Sequence, residues 1–334
     1  MNKLTDIFKS LKGSSTPNIY DPWVGQNSTS VYSDVCFLNY LNYRCIGNSN
    51  DDYARGVSSD WGIHHPLERH RQLINTGFLE LAPPAVTLQQ LKVTELKDIL
   101  KAHNLPTTGK KQSLIKLIID NIPIATLNIT PVYVLSSKGQ KYINTYHYYI
   151  DVQKYLPYAI FTLQEFEMVK SKQPYLSVDD IVWRLYSDKY SYYSSEFQHG
   201  TLRSINFYRY KFELEHGHNK DALVYLIATL YFDINGTSKF HKYSDYSVID
   251  YFSENMHELA SEYDSSVLNK VFRIADSAIE MSRIATTKPF WDNKLLILYE
   301  TFSRNIFEQI VQELLNGNTI DLEKYRQYAN PNCL

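Results

Sequence analysis

Apolar residues recur at helical spacing through most of the chain and at strand spacing in only two short places. Leu4, Ile7, Phe8 and Leu11 line one face of a short predicted helix over 2–12, and Gly13-Ser14-Ser15-Thr16-Pro17 breaks it as a linker. Residues 18–60 are rich in Tyr, Asn, Ser and Asp and show no clean period, with 48–60 reading as loop. The segment His65–Gly77 reads as a helix, since Pro66 suits a first turn and Gly77 a C-terminal exit. Phe78-Leu79-Glu80-Leu81 follows as a strand stopped by Pro83-Pro84.

Residues 86–122 carry the sharpest pattern. Thr94 is placed to cap a helix running to Asn104, with Leu96, Ile99 and Leu100 on its apolar face. Leu105-Pro106-Thr107-Thr108-Gly109-Lys110-Lys111 ends it, because Pro106 and Gly109 both break helices. A second helix starts near Gln112 and runs to Asn121, with Leu114, Ile115, Leu117, Ile118 and Ile122 as its core face. The result is a helix–loop–helix hairpin.

Further on, Pro131-Val132-Tyr133-Val134-Leu135 reads as a second short strand, and Ser136-Ser137-Lys138-Gly139 opens a helix. Thr162 and Ser177 are placed to cap helices over 162–173 and 177–190. Residues 201–216 and 220–233 form a helical pair around Gly217-His218-Asn219. Helices are expected over 247–262, 265–283 and 290–316, the last carrying Leu295, Leu298, Phe302, Ile306, Ile310 and Leu314 and ending at Gly317.

The hairpin resembles the SAP domain, a helix–extended loop–helix module that binds nucleic acid. The resemblance lies in Leu91-Lys92-Val93-Thr94-Glu95-Leu96-Lys97, the Leu105-Pro106-x-x-Gly109-x-Lys111 loop, and Leu114-Ile115. Asn104 stands where the family usually has Gly, and Lys116-Leu117 where many members have Arg-Leu. Asn tolerates the left-handed backbone that a Gly adopts there. The resemblance implies phosphate-backbone contact with DNA through Thr107, Thr108, Gly109, Lys110, Lys111, Ser113 and Lys116, supported by Lys92 and Lys97. The strands 78–81 and 132–135, with their flanking helices, resemble the two sides of a winged-helix wing. They are therefore expected to pair, with the SAP-like hairpin inserted between them. Gly217, Ala222, Leu226 and Leu230 resemble one tetratricopeptide unit, with no second copy near the usual period.

The expected fold is mainly α: the SAP-like hairpin in a winged-helix-like region, then an α-helical, TPR-like domain. The segments are 1–17, 18–85, 86–122, 123–160 and 161–334.

Charge sharpens this picture. The formal net charge is −2, but residues 1–173 carry 18 basic and 14 acidic side chains and 174–334 carry 16 and 22. A polyanion contact is therefore expected in the front half. Between Leu88 and Ile122, Lys92, Lys97, Lys101, Lys110, Lys111 and Lys116 face only Glu95, Asp98 and Asp120. Loop amides, Thr107, Thr108 and Ser113 add donors suited to phosphate. Charge alone equally describes a solvated basic turn between two packing helices.

Other candidates for chemistry are thin. Cys36, Cys45 and Cys333 show no zinc spacing and read as reduced thiols of a cytoplasmic protein. The start lacks a secretory signal, and no apolar run is long enough to span a bilayer. The sequons at Asn27, Asn128 and Asn235 mean little without secretion. His64, His65 and His70, and His216 with His218 beside Glu213 and Glu215, have metal-ligand side chains without a clear third ligand. No HExxH, GxSxG, P-loop or GxGxxG motif occurs. Asp51-Asp52 and Asp179-Asp180 read as a loop and a helix first turn. The tyrosines at 146–158 and 186–193 read as packing rather than base-stacking groups. Lys3, Lys9 and Lys12 would set the first helix against a partner or against the protein itself rather than a membrane.

Whole-chain organisation looks like that of SAP-domain proteins of Gram-positive bacteria and their prophages. This implies a non-enzymatic DNA-binding accessory protein that needs no metal or cofactor and meets a protein partner through its acidic helical domain. Two other readings stay open: a scaffold whose hairpin is structural, and a metal-dependent nuclease with a dispersed site.

Overall fold

The computed structural model describes residues 30–123, 126–127, 129–158, 160–195, 199–234, 246–285, 303–318, 320 and 325. The expected helix 2–12 with its linker, the three sequon asparagines, Cys333 and the start of the expected helix over 290–316 lie outside these. The chain divides into two compact units, 1–157 and 158–334. The fold is mostly helical with one small sheet.

Unit 1 begins with α1 (Val31–Leu41), capped by Ser30, whose hydroxyl accepts from the Ser33 amide. No periodicity marks this helix because it is apolar nearly all round: Tyr32, Val35, Cys36, Phe37, Leu38 and Leu41 are all buried. Each such large side chain contributes about 1.5–3 kcal/mol when removed from water. A two-residue strand β1 (Arg44–Cys45), α2 (Arg55–Ser59) and α3 (Pro66–Asn75) follow. The Arg69 guanidinium on α3 grips the Asp34 carboxylate on α1 through two bonds, at 3.0 and 2.5 Å. Strand β2 (Leu79–Leu81) ends at Ala82, and β3 (Val132–Leu135) returns fifty residues later.

The expected pairing of the two strands is present. They run antiparallel with Leu79 opposite Leu135 and Leu81 opposite Tyr133, while β1 pairs on the other side of β3. The strand order β1-β3-β2 and the helix–strand–helix–helix–strand–strand succession are those of a winged-helix-like unit. The described residues between Ala82 and Val132 occupy the place of the wing. A bond from the Ala82 amide to the Val132 carbonyl (2.9 Å) closes its neck.

Helix α4 (Pro84–Gln90), α5 (Val93–Ala102) and α6 (Lys111–Asn121) make up the insertion. Its core of Leu88, Leu96, Leu100, Leu114, Ile115, Ile118 and Ile122 is separate from that of the surrounding body, which is built on Phe37, Leu38, Leu41, Ile63, Leu73 and Ile143. After β3 come α7 (Ser137–Thr145), capped by Ser136, and α8 (Tyr148–Val152).

Unit 2 is helical throughout its described residues: α9 (Leu163–Lys172), α10 (Val178–Ser195), α11 (His199–Glu215), α12 (Asn219–Ile234), α13 (Tyr246–Glu258), α14 (Ser265–Ala285) and α15 (Arg304–Leu315). Thr162 caps α9 as expected and, with Glu165, forms a capping box. Ser177 caps α10, accepting from the Asp180 amide. Among the described residues no helix is long and apolar enough to cross a membrane.

Candidate nucleic-acid interface

The hairpin is held by local chemistry that the sequence spells out residue by residue. Pro84 starts α4 at its first turn, where a missing amide hydrogen costs nothing. The Lys92 backbone amide donates to the Glu95 carboxylate (2.5 Å), which opens α5. Lys92, not Thr94, is therefore the capping position, and Thr94 lies inside the first turn.

Helix α5 ends in a double bond pattern: the Asn104 amide donates to the Lys101 carbonyl (3.1 Å) and the Leu105 amide to the Leu100 carbonyl (2.9 Å). This turn requires a left-handed residue, and Asn104 supplies it at φ 58°. Leu105 then folds back onto the core that holds Leu100. The extended loop passes through Gly109 at φ 133° and enters α6 one residue before the expected start.

Lys111 closes the arrangement. Its ammonium donates to the Gln89 carbonyl at the end of α4 (2.6 Å), and the Gln112 amide reaches the Gln89 side chain (3.5 Å). A cation at a helix C-terminus is favoured there by the helix dipole. Lys111 thus ties α6 to α4, a positioning role that its place in the sequence does not announce.

Most of the remaining residues expected to meet a phosphate are on the outside. Lys92, Lys97, Thr108, Gly109, Lys110, Ser113 and Lys116 are exposed, and Thr107 and Lys111 are half-buried. Lys101 joins them: it is exposed and stands one turn beyond Lys97 on α5. None of Lys92, Lys97, Lys101, Lys110 and Lys116 has an ion-pair partner among the described residues. Helix α6 has no side-chain cap, and its first bonded amide is that of Leu114. The amides of Lys111, Gln112 and Ser113 therefore stand at its open, partly positive end. Chemically, the surface offers hydroxyl, amide and ammonium donors to an anion.

The other candidates do not assemble. His64 and His65 are exposed on the surface, whereas His70 is fully buried among Phe37, Tyr53 and Tyr133. Its Nδ1 meets the Tyr53 hydroxyl (2.9 Å), its Nε2 has no partner, and burial pushes its pKa down to about 4. In unit 2, His216 Nδ1 bonds the Phe212 carbonyl (2.7 Å) and its Nε2 faces Asp179 (3.1 Å). His218 pairs instead with Glu213 (2.7 Å). Asp180 is turned back to Ser177, so the adjacent acids diverge. Asp52 accepts from the Asn48 and Ser49 amides as a loop cap. Among the described residues no three His, Cys, Asp or Glu side chains converge on one point.

Of the tyrosines, Tyr149, Tyr155, Tyr186 and Tyr190 are buried. Tyr190, Trp183 and Tyr225 surround the buried Arg209 guanidinium at 5.1, 5.1 and 5.3 Å from their ring centres. They serve packing and a buried cation rather than a base-stacking surface.

Comparison with known proteins meets the geometry at the hairpin. Residues 87–123 match the SAP domain, a segment that begins in α4 and ends just past α6. No curated protein and no solved structure matches the chain. The hairpin in the wing position of unit 1 is thus similar to the SAP domain, a module associated with DNA binding in general.

Proposed function

We propose that the protein is a non-enzymatic DNA-binding accessory factor. It holds the phosphate backbone with the SAP hairpin and meets a protein partner through its helical C-terminal unit. One observation carries the reading: the SAP match falls on a hairpin whose Lys92, Lys97, Lys101, Lys110 and Lys116 are exposed and have no ion-pair partner among the described residues. Solvated lysines are ordinary on a structural hairpin too; it is their coincidence with the SAP match that favours a phosphate surface, where each contact releases condensed counterions.

The roles divide. Lys97, Lys101, Lys110 and Lys116 make the backbone contacts, with Thr108, Ser113 and the open amides of α6 orienting the phosphates. Lys111 keeps α4 and α6 in register. A reducing, cytoplasmic setting suits Cys36 and Cys45, both free thiols, the former buried with its pKa pushed up to about 12.

Charge reversal tests the reading. In an electrophoretic shift assay, Lys110→Glu/Lys116→Glu should weaken DNA binding by about tenfold or more while the circular dichroism stays that of the parent. Undiminished binding by the folded variant would reject the hairpin as the contact.

A further inference from the structure

We infer that the turn joining α11 to α12 is a proton-operated clasp, in which a charged His216 fastens the start of α10 and a neutral His216 releases it. It is carried by what the two ring nitrogens face.

His216 Nδ1 lies 2.7 Å from the Phe212 carbonyl, and Nε2 lies 3.1 Å from the carboxylate of Asp179 in the first turn of α10. Both neighbours are acceptors. A neutral imidazole has one N–H and one lone pair, so it donates to only one of them. The imidazolium has two N–H groups and satisfies both. Its charge also stands just past the end of α11, where the helix dipole favours a cation. When the proton leaves, a ring lone pair meets an oxygen lone pair. The Phe212 bond is the shorter and lies within one turn of the same chain segment, so the Asp179 contact is the one that turns repulsive.

The surroundings hold the ring in this orientation. It stacks on Phe212 with centroids 4.3 Å apart, and Phe212 stacks on Trp183 of α10 at 5.7 Å. The Gly217 amide donates to the Leu214 carbonyl (3.1 Å) and the His218 amide to the Glu213 carbonyl (2.9 Å), which fixes the backbone of the turn. Helix α10 is thus held at two successive turns: by ring stacking at Trp183, which pH leaves alone, and by charge at Asp179. Release is confined to the first turn.

The neighbouring charges are mostly engaged elsewhere. The titratable ring of His218, stacked 6.3 Å from His216, takes the Glu213 carboxylate. Asp180 turns back to Ser177. On α12, Lys220 and Asp221 pair with Asp264 and Lys270. Glu215 adds negative charge beside His216. The Phe212 carbonyl first, then Asp179, hold the imidazolium above the ordinary imidazole range against a smaller opposing effect of burial. The fold therefore binds this proton more tightly than the unfolded chain does. The clasp is fully formed below about pH 6.5 and is lost as pH rises through the folded value.

Nitrogen-15 NMR of the His216 ring in the full chain tests this, beside hydrogen exchange at the Ile181 amide, which bonds the Ser177 carbonyl at the start of α10. His216 should titrate above the ordinary value of about 6.5, and Asp179→Asn should lower that titration. Between about pH 6 and about pH 8.5, protection of the Ile181 amide, corrected for the intrinsic exchange rate, should fall by about threefold. His216→Phe, which keeps a ring in the stack, should abolish the fall, and His218→Asn should retain it. Should Asp179→Asn fail to fold, the parent titration and the His216→Phe exchange decide. Titration of His216 at or below about 6.5 would overturn the inference. So would protection that does not change with pH, or a fall that persists in His216→Phe.

Discussion

Gly139 stands so close to the Phe78 carbonyl that a β-carbon on it would lie 2.2 Å from that oxygen. The contact seats α7 against the start of β2. Ser136 reinforces it, donating through its hydroxyl to the Gly77 carbonyl (2.6 Å) and accepting from the Gly139 amide (3.1 Å). The neck from which the SAP hairpin projects is therefore anchored by a glycine that no other residue replaces without moving backbone.

Gly139→Ala should destabilise unit 1 by about 2–3 kcal/mol, the cost of forcing atoms into a closed contact. Gly200→Ala is the matched control. It lies in the first turn of α11 with nothing near its missing β-carbon among the described residues, and should leave stability unchanged or raise it by up to about 1 kcal/mol. Urea unfolding of the two variants checks both signs.

Unit 1 should lose stability as the pH falls from about 6.5 to about 4. His70 is neutral in the fold down to a pKa of about 4, because burial disfavours its charged form. The unfolded chain takes up the same proton near its ordinary value of about 6.5. Between those values the unfolded state binds more protons, so stability drains away as pH falls, by at most about 3.4 kcal/mol. Below the folded pKa this group adds no further loss. Thermal melts across the window should show the slope, and His70→Phe should flatten it.

Asn104 makes the hairpin depend on a left-handed backbone at φ 58°. Asn104→Gly should keep or raise hairpin stability by about 0.5–1 kcal/mol, and Asn104→Val should lower it by about 1–2 kcal/mol. Hydrogen exchange at the Leu105 amide, which closes this turn, reads the effect directly.

How much of this was legible depends on how regular each local pattern is. The SAP hairpin was, because Leu96, Leu100, Leu114 and Ile118 repeat at helical spacing around a loop with two breakers, and all four are fully buried. The pairing of 79–81 with 132–135 was, from order and flanking residues, since Gly77 and Ser136 mark the turns on either side. Helix α1 was hidden because burial on nearly every side erases its period, leaving only Ser30 as a cap. Helix α4 was hidden behind Pro83-Pro84, which read as the end of a strand rather than the start of a helix. The Lys111 bond to Gln89 spans 22 residues and leaves no trace in local spacing. Lys101 was visible as charge, but its exposed place beside Lys97 needed the helix to be drawn.

The salt dependence of DNA binding tests the central claim most directly. The affinity of the full chain for a duplex should fall linearly on a log–log plot against salt. In Lys97→Ala/Lys110→Ala/Lys116→Ala the slope should be shallower by about 0.9 for every phosphate contact removed, hence by up to about 2.7. An unchanged slope in a variant that keeps its fold would contradict the account, because the hairpin lysines would then neutralise no phosphate.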